Sequence, residues 1–151
     1  MGQLSESVVS LWFFGDDLDP AYVGRLLGAS GYQCAVKGER TTNAKTGRVY
    51  VARTGRWGFK VERREPADLD AQIRELFDAL SGDLAVWRDL SSRFRAQLFV
   101  GLFMLEGNEG VVLSVESLGI LSARMIPIDF DIYGPLSQPD DATDDATAPA
   151  A

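Results

Sequence analysis

Two apolar runs constrain this chain more than any other feature: Val8 to Phe14 (VVSLWFF) and Gln97 to Leu105 (QLFVGLFML). Both have the length of a strand and are apolar on both faces, as central strands are. Whatever lies between them must bring them together into one sheet and cover it.

Between the runs, local signals mark out the remaining elements. Gly15 ends the first strand, and Asp19-Pro20 has the form of a helix cap followed by proline at the first helical position. That helix carries Val23, Leu26 and Leu27 inward and stops at Gly28. Tyr32 to Val36 reads as a second strand and residues 37–47 as a polar loop. Arg48 to Thr54 and Arg56 to Glu62 are predicted to pair as a hairpin about Thr54-Gly55. In that register Arg48, Tyr50, Ala52, Trp57, Phe59 and Val61 share the core face.

After Pro66, residues Leu69, Ile73, Leu76, Phe77 and Leu80 form one stripe at helical period. Asp83 is placed to cap a helix with Leu84, Trp87 and Leu90. Ser114 is placed to cap another with Leu118, Leu121 and Met125 on one side. Ile128 to Tyr133 alternates as a final strand, with Ile128, Phe130 and Ile132 directed to the core. The order β-α-β-β-β-α-α-β-α-β predicts an α+β fold, a mostly antiparallel sheet with helices on one face, the ferredoxin-like arrangement being one such fold. Residues 1–136 are expected to form one domain. Residues 137–151 (SQPDDATDDATAPAA) lack the apolar surface to offset their chain entropy and are expected to be a disordered acidic tail.

Composition narrows the chemistry. The 151 residues contain no histidine and one cysteine, Cys34. Histidine-activated nucleophiles, His-ligated metals, Cys-cluster zinc and an intrachain disulfide are therefore excluded. No phosphate-loop pattern and no Ser-x-x-Lys occurs. Cys34, Trp12, Trp57 and Trp87 are all expected to be packing residues. The N-terminal segment has no secretory pattern, and the longest apolar run falls far short of the ~20 residues a membrane span needs. An unpaired cysteine fits a reducing compartment, so a cytoplasmic protein is expected.

Several segments together resemble a known family. They are Gly15-Asp16-Asp17-Leu18-Asp19-Pro20, Leu26-Leu27-Gly28, Lys37-Gly38-Glu39, Gly55-Arg56-Trp57, the helix after Pro66 and Ile128-Asp129-Phe130-Asp131-Ile132-Tyr133. From about Val8 to Gly134 the chain is similar to a bacterial family catalogued as a domain of unknown function, family 4279. The resemblance implies a compact α+β fold and brings no catalytic residue with it.

Two constellations of charge are candidate sites. Asp16, Asp17 and Asp19 leave the first strand, and Asp129 and Asp131 lie two apart on the last. If those strands are neighbours, five carboxylates could gather around Mg²⁺ or Ca²⁺, or one could act as a general acid. The plainer reading makes them a cap, a turn and the wet side of a strand, and is preferred. The second constellation is basic: residues 37–64 hold nine of the fifteen cationic side chains against Glu39 and Glu62, a net +7 in a chain of net −7. Tyr50, Trp57 and Phe59 interleave with these charges, as stacking aromatics do on RNA-binding sheets. The hairpin register sends those rings to the core, which disfavours nucleic acid.

The expectation is a non-enzymatic module that binds another macromolecule, a protein, through Arg53, Arg56 and Lys60, with no cofactor and no membrane. A carboxylate-based metal or small-molecule enzyme and a nucleic-acid-binding hairpin are the alternatives.

Overall fold

The computed structural model describes residues 2–135; the tail expected over 137–151 lies outside them. Among the described residues nine strands and four helices follow in the order β1 (Gly2–Gln3), β2 (Glu6–Gly15), α1 (Pro20–Leu27), β3 (Tyr32–Ala35), β4 (Arg40–Thr42), β5 (Val49–Val51), β6 (Gly55–Lys60), α2 (Leu69–Asp78), α3 (Leu84–Arg93), β7 (Arg95–Phe103), β8 (Glu109–Gly110), α4 (Val115–Ala123) and β9 (Ile128–Tyr133). The main sheet has the order β3-β6-β2-β7-β9. Its pairs are antiparallel except β7 with β9, which run parallel. The two apolar runs of the sequence lie in β2 and β7, which pair along β2 from Glu6 to Phe14.

The fold is α+β, and its connectivity can be read off the strand order. β2-α1-β3 is a parallel return that leaves room for one strand, and β6 fills it; β7 then pairs on the far side of β2. This is the split βαβ pattern of ferredoxin-like folds. Two additions extend it. A two-stranded ribbon, β4 with β5, is inserted between β3 and β6, and α4-β9 adds a parallel strand beside β7.

Local signals fixed the helices. Asp19 caps α1 by accepting from the Ala21 N–H at 3.0 Å, and Gly28 ends it with a φ of 79°. Asp83 and Ser114 cap α3 and α4 in the same way, through Ala85 and Ser117. The cap of α2 is Asp68, two residues beyond Pro66. Val23 and Leu27 of α1, Ile73, Leu76 and Phe77 of α2, Trp87 and Leu90 of α3 and Leu121 of α4 all enter one core. They meet Val9, Leu11 and Phe13 of β2 and Leu98, Val100 and Leu102 of β7, so every helix covers the same face of the sheet. Among the described residues no helix lies over the opposite face.

Five expectations need correction. The hairpin of 48–54 with 56–62 does not form: β5 pairs with β4, which lies inside the stretch read as a loop, and β6 is taken up between β2 and β3. Arg48 and Tyr50 therefore leave the core face and are exposed, whereas Trp57 keeps its place there at 0% exposure. Trp12 is not a core residue; it lies half-buried on the helix-free face. Phe130 and Ile132 share the helix side of the sheet with Val100 and Leu102, but β9 is an edge strand beyond the cover, and both are exposed. On α4 only Leu121 of the expected stripe is buried; Leu118 is exposed, as is Met125 beyond the helix end. Likewise Leu84, at the start of α3, is exposed.

Candidate functional site

The two acidic groups do not meet. β7 stands between β2 and β9, with Asp129 level with Phe99 and Phe99 level with Ser10. Asp16 lies six residues further on, just past the end of β2, roughly 20 Å along the strand direction and about 10 Å across it by ordinary sheet spacings. Four of the five carboxylates have a local partner instead, and Asp17 is exposed. Asp16 pairs with Lys37 at 2.8 Å, and hydrogen bonds from Lys37 and Thr54 hold its carboxyl below the usual range. Asp19 caps α1, Asp129 accepts from Gln97 Nε2 at 2.6 Å, and Asp131 accepts from the Tyr133 hydroxyl. Among the described residues no three acidic or thiol side chains converge on a metal-sized point.

The basic constellation is different. Of its nine cations, three have carboxylate partners: Lys37 with Asp16, Arg63 with Glu6 and Arg64 with Glu75. Arg40, Lys45, Arg48, Arg53, Arg56 and Lys60 form no ion pair among the described residues. Alternation along β6 sends Trp57 to the core and Arg56, Gly58 and Lys60 to the helix-free face. The last of the three candidate cations, Arg53, lies in the short link between β5 and β6 and is exposed. Arg56 is held in place by donating from Nε to the Gln33 carbonyl at 2.7 Å.

Beside these cations the helix-free face is aromatic. Register places Trp12, Phe14 and Phe99 on it together with Arg56, Lys60 and Arg95. Trp12 and Phe14 stack with centroids 6.0 Å apart, and Trp12 meets Tyr32 at 5.7 Å. Trp12 Nε1 donates to Ser10 Oγ at 2.9 Å, which fixes the indole. Lys60 Nζ sits 4.3 Å above the Tyr32 ring, and the Arg95 guanidinium 4.6 Å above Phe14. Cation–π contacts of this kind spread the cations over the rings without neutralising them. Val8, Ser10, Trp12, Tyr32, Lys60 and Phe99 line an open groove of about 630 Å³. A second depression, of about 420 Å³, continues from Phe14 to Tyr50, Arg53 and Arg56 at the foot of the β4-β5 ribbon. Towards β9 the same face turns acidic, with Asp129 and Asp131.

Sequence reasoning singles out Arg53, Arg56 and Lys60 as candidates and overlooks the rings beside them. Trp12, Phe14 and Phe99 were absorbed into runs that looked buried on both sides. The available signal was polarity on the alternate positions: Ser10, Gln97 and Gly101 interrupt the side of β2 and β7 that carries those rings.

An α+β sheet with all its helices on one side, an aromatic and basic opposite face and an inserted ribbon is the class that the geometry defines. The chain belongs to the family described as Domain of unknown function (DUF4279), whose model matches residues 5–135. No curated protein and no solved structure matches it. Among the described residues no helix is long and apolar enough to cross a membrane.

Proposed function

We propose that this chain is a non-enzymatic recognition module that binds an acidic protein surface with the helix-free face of its sheet and the adjoining ribbon. One observation carries the reading: among the described residues, Arg53, Arg56 and Lys60 have no carboxylate partner and stand beside half-buried rings that no other element covers. Unneutralised charge steers a complementary partner and fixes its orientation, while aromatic side chains supply contact area at small entropic cost. The ribbon adds Val49 and Val51, each about half exposed, which a protein can cover and a phosphate backbone cannot. Cytoplasmic location belongs to the same proposal and rests on the single unpaired thiol, Cys34.

A direct test is affinity capture with Arg53→Glu, Arg56→Glu and Lys60→Glu combined. Arg53 and Lys60 are exposed and Arg56 gives up only its bond to the Gln33 carbonyl, so the variant should fold with a melting temperature little changed. Capture of wild-type partners should weaken as salt rises and be lost in the variant. The same partners captured with the same salt dependence would refute the surface.

A second reading is favoured by the Trp12–Phe14–Tyr32 cluster, since stacking rings on an open sheet also receive single-stranded nucleic acid. It requires retention of a labelled RNA or DNA oligonucleotide that falls steeply with salt and is lost in Trp12→Ala. Flat, weak retention at low salt dismisses it.

A further inference from the structure

The helix α4 and the edge strand β9 present a surface unlike the recognition face. Helix α4 (VESLGILSA) is apolar nearly all round, and such helices are normally covered. Only Ser117 and Leu121 of it are buried. Val115 is 85% exposed and Leu118 48%, with Val112 before the helix 78% and Met125 after it 65%. Phe130 and Ile132 of β9, on the helix side of the sheet, are 43% and 60% exposed. β9 follows α4 directly and ends the sheet on that side, so helix and strand border the same flank.

We propose that this flank is the interface of a homodimer, in which α4 and β9 of one copy pack against the same elements of another. Six large apolar side chains, each with up to roughly 100 Å² to bury, offer several hundred Å². That approaches the roughly 800 Å² per partner of a standard interface and matches or exceeds the largest apolar patch of an ordinary monomer. Interfaces this apolar belong to assemblies that do not come apart, whereas polar, charged ones serve transient partners. A patch that must always be covered needs a partner that is always present, and a second copy meets that condition with one self-complementary surface. Nor is the dimer a continued sheet. In an antiparallel β9–β9 pairing centred on Phe130, Asp129 of one copy faces Asp131 of the other, and like charges directly opposite repel. The contact is made by side chains of the helix layer, which leaves the helix-free face open on both copies.

Sedimentation velocity of the full chain over the micromolar range tests this. The expected mass is twice the chain's 16.5 kDa. Leu118→Lys combined with Ile132→Lys should sediment as a monomer with an unchanged far-ultraviolet spectrum, because neither side chain is buried in the single chain. Arg53→Glu with Arg56→Glu should remain dimeric, which keeps this result separate from that of the recognition face. A wild-type monomer at the highest concentration, aggregates without fixed stoichiometry, a dimer that survives the double lysine variant, or one dissolved by the arginine reversals would each overturn the proposal.

Discussion

The indole of Trp12 lies across Gly58 of the neighbouring strand: a Cβ at Gly58 would stand 2.4 Å from the six-membered ring. Strand β6 therefore supplies a floor with no side chain at the point where β2 places its largest one. The pairing of Trp12 with Gly58 sets the ring low against the sheet and opens the groove between Tyr32, Lys60 and Phe99.

Gly58→Ala should lift that indole. The extra methyl meets ring atoms, and overpacking of this kind costs about 1–3 kcal/mol. Trp57 and Trp87 are fully buried, so acrylamide quenching of tryptophan fluorescence reports mainly on Trp12 and should increase. Partner capture should fall while the far-ultraviolet spectrum is unchanged. Unaltered quenching would mean that the ring is not seated on the glycine.

Gln72 should prove the most sensitive polar residue of the core. It is fully buried, accepts from Ser7 Oγ at 2.5 Å, and donates to the carbonyls of Ser7 and Glu62 at 3.0 and 3.1 Å. It thereby joins α2 to β2 and to the chain leaving β6. Gln72→Leu strands the Ser7 hydroxyl in an apolar setting and should cost about 1–3 kcal/mol. The check is a urea midpoint that falls with no change in slope.

Much of this was legible in the sequence, and the failures share a cause. Caps are local, so Asp19, Asp83 and Ser114 announced their helices without knowledge of the rest. The partner of β5 is not local in pattern. Its true mate, Arg40-Thr41-Thr42, is polar and resembled a loop, while the apolar alternation of Trp57, Phe59 and Val61 offered a false partner next door. Gly55 looked like the turn of that hairpin because glycine favours turns. It is glycine because a Cβ there would come within 2.7 Å of the carbonyl oxygens of Gly15 and Leu18. Hydrophobicity alone misplaces Trp12 and Phe14, because it does not separate a ring under a helix from a ring on the helix-free face. The acidic cluster depended on which strands are neighbours, and the insertion of β7 between β2 and β9 settles that.

The junction of α2 with α4 should weaken in acid. Burial raises the Asp70 carboxyl, but hydrogen bonds from Ser117 and Ser114, with the charge of Arg74, outweigh it and hold it below 3.8. A carboxyl lowered on folding contributes stability that is complete above its unfolded value and is lost as pH falls through its folded one. Unfolding free energy measured in urea should therefore drop below about pH 4, and Asp70→Asn should flatten the pH dependence. An identical acid limb in the variant would place the loss elsewhere.

Divalent metals should leave the protein unchanged. A ligand that binds only the native state raises the melting temperature with its concentration. With Asp16, Asp17 and Asp19 far from Asp129 and Asp131, melts in Mg²⁺, Ca²⁺ or Mn²⁺ should overlay the melt in chelator. A saturable upward shift, abolished by Asp129→Asn, would revive the carboxylate alternative.

The central claim is that the helix-free face meets a partner through its free cations and rings, and site-directed photo-crosslinking addresses it most directly. A photoreactive phenylalanine at Tyr32 or Phe99 should give a discrete protein adduct in cells, and one at Arg88, on α3 of the helix layer, should not. Adding Arg56→Glu and Lys60→Glu should erase the adduct. Adducts confined to position 88, or adducts at 32 and 99 that survive the charge reversal, would contradict the account.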